Sequence, residues 1–361
     1  MVNTDLWLCY TFFYNQALMQ YSTFPSLGRP VARLGYGAMG FGGTFGAFDE
    51  SEAIRSVLTY LDNGGNFFDT ARHYGNSEEI LGRALRQWSG ERPFIATKIQ
   101  SHGADNTRWG MPPRVDDTFP RHLIRQNTEE SLRLLGVDTI DLMQLHLYWP
   151  NWGTSGYWLD ELLTLKEEGK IRSIGVSNPD HRQDTVLPLV LSGQIDSVQT
   201  VFNLFDPLAL DCLIPLARAN NVAIIARCIM DEGGLTGFLR EDTVFEEHDF
   251  RKSFFEQVPR SQYIAHVDAL RRYIPEHART LAALAIKFVL KDPGVTTAIT
   301  SMHIEQYALE NLAALDEEPL SDELFYELRT RHRWVRNFFD TKYWQGQNDL
   351  DKANAAEAVK S

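Results

Sequence analysis

Eight short apolar or β-branched runs, each closed by a polar or glycine-rich turn and followed by helical periodicity, limit what this chain can fold into. The runs are Arg33–Gly37, Asn66–Asp69, Pro93–Lys98, Ile140–His146, Ile171–Ser177, Ser197–Val201, Val222–Arg227 and Val295–Thr300. In Glu52–Leu61, the residues Ile54, Val57, Leu58 and Leu61 recur at i, i+3, i+4, i+7 and share one helix face. Ser77–Trp88, Pro120–Leu135, Trp158–Glu168, Asp180–Leu191, Pro207–Asn220, Thr280–Leu290 and Ile304–Leu315 read the same way. Gly64–Gly65, Gly136 and Gly169 sit just past helix ends, where a left-handed residue is wanted. Strand-then-helix repeats without a domain-sized break predict an α/β chain folded as a (β/α)8 TIM barrel. The alternative, a doubly wound sheet, would announce itself with G-x-G-x-x-G after the first run, and none is there.

Composition fits a single globular enzyme-sized domain: 361 residues, 43% hydrophobic and 23% charged. Lys plus Arg number 35 against 48 Asp plus Glu, a formal charge of −13. Without a basic tract, nucleic acid and anionic membrane are poor partners. Cys9, Cys212 and Cys228 are scattered and odd in number, which predicts a reducing, cytoplasmic setting rather than a disulfide framework. The 10 histidines show no metal-ligand spacing, so no metal is expected. No stretch approaches the roughly 20 apolar residues of a membrane helix. Nothing in the sequence speaks to the oligomeric state.

Residues 1–20 stand apart from the repeat. Leu6–Tyr14 is apolar and aromatic, but no Lys or Arg precedes Arg29, so a signal peptide is not indicated. The segment reads as a disordered or non-native extension, with Met19 a candidate start. Residues 21–340 are expected to form one barrel domain and 341–361 a charged tail. Tyr21–Pro30, turning at Leu27-Gly28, is expected to be a hairpin capping the barrel bottom. Two long loops, Gln100–Phe119 and Asp231–His277, leave the C-terminal ends of strands, where barrel enzymes keep their active sites.

Four polar or ionisable groups collect at that face. Asp69 ends the second run, Tyr74 follows five residues on, Lys98 ends the third and His146 the fourth. Singly each has an ordinary reading: a turn cap, a surface aromatic, a solvated strand end, a satisfied core histidine. Together they constrain one another, because an Asp or Lys buried at a barrel mouth needs a partner, and Asp69 and Lys98 can serve each other. The set suits carbonyl reduction. Hydride addition leaves an alkoxide that needs a proton. Tyrosine, with a pKa near 10, is a feeble acid until a neighbouring ammonium lowers that value. An imidazole can donate a hydrogen bond to the carbonyl oxygen. Proton donation of this kind is typically worth about 10²–10⁴-fold.

These residues lie in a longer series of motifs: Asn66-Phe67-Phe68-Asp69-Thr70-Ala71, Tyr74-Gly75 with Ser77-Glu78 and Leu81-Gly82, Ala96-Thr97-Lys98, Ser131-Leu132 with Leu135-Gly136, Asp141-Leu142 with His146, Gly175-Val176-Ser177-Asn178, Leu235-Thr236-Gly237 and Glu310-Asn311. In this order, from about Arg33 to Leu315, the chain resembles the aldo-keto reductase family. The resemblance implies a catalytic tetrad of Asp69, Tyr74, Lys98 and His146, with Tyr74 as general acid/base and His146 orienting the carbonyl.

It also implies a nicotinamide cofactor across the barrel mouth, NADP(H) as the family expectation. Ser177, Asn178 and Gln199 would hold the carboxamide, although Ser-Asn also suits a turn. Met39 and Asp69 fall on the same face. Arg227 stands where many relatives place an aromatic ring against the nicotinamide. A guanidinium can stack too, or it can pair with a carboxylate such as Asp231. Cys228, Met230 and the glycines Gly233 and Gly237 follow, in a loop suited to the pyrophosphate. Ser301, His303 and Tyr307 occupy positions where relatives that grip a 2′-phosphate carry Lys or Arg. Only His303 among them could be cationic, which leaves NAD(H) open. Glu310 and Asn311 match adenine-side positions.

Substrate candidates are Phe41 and Phe45, Trp109, and Trp149 with Trp152, beside Tyr74 and His146. The tryptophans could stack on a sugar face or simply pack the loop. The leading reading is an NAD(P)(H)-dependent oxidoreductase reducing an aldehyde or ketone, with a sugar or other polyhydroxylated carbonyl as one candidate class. The alternatives are a sugar or alcohol dehydrogenase run oxidatively, or a nicotinamide-binding regulatory subunit without turnover.

Overall fold

The β-branched and aromatic runs become strands because nearly every residue in them is buried, as in a parallel sheet covered on both faces. A computed structural model describes residues 19–101 and 114–336 of the chain. A short hairpin comes first, β1 (Tyr21–Phe24) paired antiparallel with β2 (Arg29–Ala32). The barrel strands follow: β3 (Leu34–Gly37), β4 (Phe67–Asp69), β5 (Phe94–Ile99), β6 (Ile140–His146), β7 (Ile171–Ser177), β8 (Ser197–Val201), β9 (Ala223–Arg227) and β10 (Thr297–Ser301). They close in the order β10-β3-β4-β5-β6-β7-β8-β9, each neighbour parallel to the next. This is the expected (β/α)8 barrel. Three strands match the sequence runs end for end, and the rest shift by one or two residues.

The hairpin closes the end of the barrel where the strands begin. Phe24 packs on Phe94 with centroids 4.8 Å apart, and Phe94 stacks on Phe67 at 5.0 Å. Arg29 on β2 bonds Asp141 Oδ1 at 2.8 Å, while Arg92 takes Oδ2 at 2.7 Å. Asp141 is fully buried, so this pairing ties the hairpin to β6 where a lone carboxylate would be costly.

The helices are α1 (Glu50–Asp62), α2 (Ser77–Leu85), α3 (Val115–Thr118), α4 (Arg121–Leu135), α5 (Tyr157–Glu167) and α6 (Leu187–Ser192). They continue with α7 (Leu213–Ala219), α8 (Arg251–Phe255), α9 (Arg260–Asp268), α10 (Leu281–Lys291), α11 (Glu305–Ala313) and α12 (Asp322–Arg331). Helix α1 is capped by Asp49, which accepts from Glu52 N at 2.7 Å. Helix α4 ends at Gly136 with φ 69°.

Two helices are shorter than their periodicity suggests. Asp180–Leu191 resolves into a 3₁₀ turn, Gln183–Val186, and then α6, whose first turn holds Pro188. Pro207–Asn220 resolves into Leu208–Leu210 and α7, with Pro215 in its first turn. Proline lacks the N–H that a helix interior needs, so each helix can start only just before it. Helix α12 was not expected. The long excursion after β9 folds into α8, α9 and the 3₁₀ turns Gly234–Thr236 and Ala269–Tyr273. The expectations for residues 1–18, for most of the Gln100–Phe119 loop and for the tail fall outside the described residues.

Candidate active site

The strand ends bring the four tetrad candidates together, and the surrounding motif explains how. Asp69 is the last residue of β4, and Lys98 lies one position from the end of β5. Their side chains form an ion pair, with Asp69 2% and Lys98 0% exposed. Lys98 Nζ also donates to the Thr70 carbonyl at 2.9 Å. Gln199 and Gln144 donate to the other Asp69 oxygen at 2.8 and 3.2 Å.

Tyr74 rides on a turn clamped from several sides. Thr70 and Ser77 share a hydroxyl hydrogen bond of 2.7 Å, and Ser77 donates to the Ala38 carbonyl at 2.8 Å. Thr97 donates to Glu78 Oε1 at 2.6 Å, while Arg72 pairs with Oε2 at 2.7 Å. Gly42 passes so close that a Cβ there would lie 2.8 Å from the Tyr74 carbonyl oxygen. The Ser77-Glu78 part of the motif is therefore what fixes Tyr74, rather than a chemical participant.

Lys98 Nζ stands 4.8 Å from the centroid of the Tyr74 ring. Burial is the largest influence on the phenol and raises its pKa; Lys98 lowers it, and the net shift is upward. The expectation that the ammonium leaves the phenol unusually acidic is therefore corrected: desolvation outweighs the charge. Burial likewise pushes the Lys98 ammonium down, but Asp69 and Tyr74 together more than offset it and its pKa is raised. His146 is held well below the usual imidazole value, by burial first and then by His73, Lys98 and Arg227. It is neutral at pH 7.

His73 belongs to this group, and the sequence reading missed it. It faces the cavity, stacks on His146 at 4.8 Å with planes 23° apart, and meets the Tyr74 ring edge-on at 4.5 Å. Desolvation and the Lys98 charge hold its pKa down to about 4. Its place beside Tyr74 in the motif was the available signal.

A cavity of about 1380 Å³ opens over these residues, larger than the ~300–1,000 Å³ typical of drug-sized ligands. Met39, Asp69, Gln199, Arg227, Cys228 and Met230 line it on one side. Gly233, Ser301, His303, Tyr307, Glu310 and Asn311 carry it on along α11. Ser177 and Asn178 lie beside Gln199 and Pro179, which line the cavity, but are themselves fully buried. Ser177 Oγ and Asn178 Oδ1 have no hydrogen-bond partner. One free hydroxyl and one free amide oxygen, both buried, fit a carboxamide, which offers an acceptor and a donor. Gly237 does not line the cavity; a Cβ there would meet Leu281 and Arg271 instead, since this turn packs onto α10.

Arg227 pairs with Asp180, 2.5 Å away, and not with Asp231, which is taken by Tyr263 and Arg336. Cys228 donates its thiol to Glu232 Oε1 at 2.9 Å. Cys228, Asp231 and Glu232 all have positive φ, at 52°, 48° and 56°. Three non-glycine residues held left-handed in one turn store backbone strain of the kind found at ligand sites. His303 is buried, hydrogen-bonded to Ser301 at 2.9 Å and stacked with Phe45. Burial and the Arg251 charge hold its pKa down to about 4, so it supplies no positive charge at neutral pH.

Among the substrate candidates, Phe45 and Trp149 line the cavity with Tyr74 and His146. Phe41 does not: it is 1% exposed and packs on Tyr36 and Phe48. Trp152 packs edge-on against Phe119 and Tyr148, turned inward by the 3₁₀ turn Pro150–Trp152, and is core. Trp109 lies outside the described residues. Among the described residues there is no His, Cys, Asp or Glu cluster that could hold a metal ion, and no helix is long and apolar enough to cross a membrane.

A closed (β/α)8 barrel with this ion pair, tyrosine and neutral histidine at its mouth defines a class of oxidoreductase. Residues 33–330 match the Aldo/keto reductase family model, and the chain belongs to that family. It is 29% identical over 298 residues to the aldo-keto reductase YhdN of Bacillus subtilis, covering 78% of this chain and 84% of the relative. It is 29% identical over 302 residues to an NADH-specific methylglyoxal reductase of Escherichia coli, covering 79% and 90%. Among solved structures, the glycerol dehydrogenase AKR11B4 of Gluconobacter oxydans superposes with a TM-score of 0.68 at 26% identity, over 91% of this chain and 99% of that one. The protein is therefore an oxidoreductase of the family that reduces carbonyls with NAD(P)H.

Proposed function

We propose that the protein reduces a small, polyhydroxylated aldehyde or ketone to the alcohol, with Tyr74 as the proton donor. The observation that carries this reading is the buried Lys98–Asp69 pair set against Tyr74, with neutral His146 beside it. The nicotinamide cofactor, when bound, supplies the hydride. Ser177 and Asn178 offer the unpartnered groups for its carboxamide, joined by Gln199. Met39, Cys228, Met230 and Gly233 form the wall along the rest of the dinucleotide, and Glu310 and Asn311 its adenine end.

The raised pKa of Tyr74 keeps the phenol protonated at neutral pH, ready to donate. Lys98 then stabilises the phenolate left behind, and Asp69 keeps Lys98 charged and in place. Neutral His146 can donate an N–H to the carbonyl oxygen and fix its direction. NADP(H) is the first cofactor of this reading. A neutral His303 and an exposed Tyr307 give no cation for a 2′-phosphate in the turn after β10, which keeps NAD(H) in the test. Methylglyoxal and glycerol, named for two of the relatives, share the small, oxygen-rich character assigned to the substrate.

Turnover of a panel of aldoses, hydroxyketones and simple aldehydes with NADPH and NADH tests the reading. Reduction of polyhydroxylated members ahead of their deoxy analogues is expected. No turnover of any carbonyl, despite cofactor binding, would overturn it.

A further inference from the structure

The turn that follows β9 has two faces. Cys228, Ile229, Met230, Glu232 and Gly233 line the cavity, and Asp231 in their midst does not. Its carboxylate, 7% exposed as a residue, turns away and accepts from Tyr263 and Arg336 on the same oxygen. Neither of those partners lines the cavity. The backbone here needs an anchor. Cys228, Asp231 and Glu232 are all left-handed, a conformation that persists only where surrounding contacts over-determine it. The turn's own hydrogen bonds, Asp231 N to the Cys228 carbonyl at 2.9 Å and Gly233 N to the Met230 carbonyl at 3.0 Å, are local. They hold its shape without fixing its place on the barrel.

The anchor comes from far along the chain. Arg336 lies beyond α12, 105 residues from Asp231, and is buried. Its guanidinium sits 4.3 Å from the Phe254 ring centroid on α8 and 4.9 Å from that of Tyr263 on α9. Its Nη1 has no hydrogen-bond partner, so these rings meet the charge in place of water. Two residues earlier, Trp334 N donates to the Phe205 carbonyl at 2.8 Å, and the indole stacks on His266 at 3.9 Å with planes 12° apart. The segment after α12 is thus a strap laid over the loop after β8 and over α9, with Arg336 reaching the turn from behind. Tyr263 presses on the same turn: a Cβ on Gly234 would lie 1.9 Å from its hydroxyl oxygen.

We propose that Arg336 is a positioning residue for the dinucleotide site, holding the Cys228–Gly233 wall in its binding shape through Asp231. Without Arg336, a buried carboxylate keeps Tyr263 as its one side-chain donor. Such a charge seeks water, and Asp231 can reach water only if the turn moves. The wall then spends part of its time in a shape that does not fit the cofactor, and affinity falls by that fraction. The proposal rests on the nicotinamide reading above.

The test is titration of the full-length protein with NADPH and with NADH, alongside melting temperature and single-turnover reduction. Arg336→Gln should weaken both dinucleotides about tenfold, as expected if the fitting shape is held about a tenth of the time. The single-turnover rate at saturating dinucleotide should stay within about twofold, because the tetrad is untouched. Arg336→Lys restores the charge and should recover both affinities to within about threefold of wild type. Arg333→Ala is the control: it cuts the exposed Arg333–Asp211 pair of the same strap and should leave both affinities within about twofold. A lower melting temperature for Arg336→Gln with both affinities unchanged overturns the proposal, and so does an equal loss of affinity in Arg333→Ala. Should Arg336→Gln fail to fold, Tyr263→Phe removes the other donor to Asp231 and keeps the ring. It should weaken both dinucleotides about threefold, and unchanged affinities there overturn the proposal as well. A wild-type protein that binds neither dinucleotide overturns the nicotinamide reading itself, before any variant is compared.

Discussion

Lys98 Nζ lies 4.8 Å from the centre of the Tyr74 ring while its ion-pair partner, Asp69, lies across the neighbouring strand end. The ammonium therefore serves two groups at once. It neutralises a buried carboxylate and stands ready for the phenolate formed when Tyr74 gives up its proton.

Lys98→Met separates those duties from packing. It keeps the aliphatic stem but leaves Asp69 buried with only its glutamine donors. Breaking a buried pair in this way costs about 3–5 kcal/mol, and losing assistance to proton transfer costs about 10²–10⁴-fold in kcat. Urea unfolding and steady-state kinetics on one preparation should show both losses. Wild-type kcat in a destabilised variant would confine Lys98 to a structural role.

His73 touches both neighbours that the chemistry needs, through ring packing alone. His73→Phe should preserve that packing and hold kcat within about threefold, whereas His73→Ala frees His146 and should lower kcat/KM about tenfold. Measuring the two variants with one small aldehyde decides the matter. Equal rates for both would mean that the stack does not position His146.

The histidines also set an acid limit on stability. His73 and His303 are held to about 4 in the fold, and His146 and His332 are lowered as well. The unfolded chain binds these protons near pH 6.5. Between that value and about 4 the unfolded state holds more protons, so stability is complete above pH 6.5 and is lost as pH falls toward 4. For buried His303 the effect is on the order of 2–3 kcal/mol. Calorimetric melting temperatures from pH 7 to pH 4.5 should fall, and His303→Gln should flatten that slope. A pH-independent melting temperature would contradict the assignment of neutral, buried imidazoles.

The barrel was legible because its strands are buried on both faces and each ends in a turn. Ile140–His146, Ile171–Ser177 and Ser197–Val201 read from the sequence with their boundaries intact. Pairing Asp69 with Lys98 needed only the rule that buried charges find partners. What resisted reading depends on contacts far apart in the chain. Arg227 pairs with Asp180 and not with Asp231, nearer in the chain, because Tyr263 and Arg336 already occupy the latter. Phe41 and Trp152 look like pocket residues by position alone, and only side-chain direction shows them to be core. Helix α12 did carry a local signal: Ser321 caps it, accepting from Leu324 N at 3.1 Å, with Asp322 and Glu323 in the first turn.

The most direct measurement is Tyr74→Phe, which removes one oxygen and keeps the ring over Lys98. Pre-steady-state and steady-state reduction of the best carbonyl should fall at least about 10²-fold, with the dissociation constant for the nicotinamide dinucleotide unchanged within about twofold. Wild-type turnover by Tyr74→Phe, with cofactor affinity intact, would contradict the assignment of Tyr74 as the proton donor.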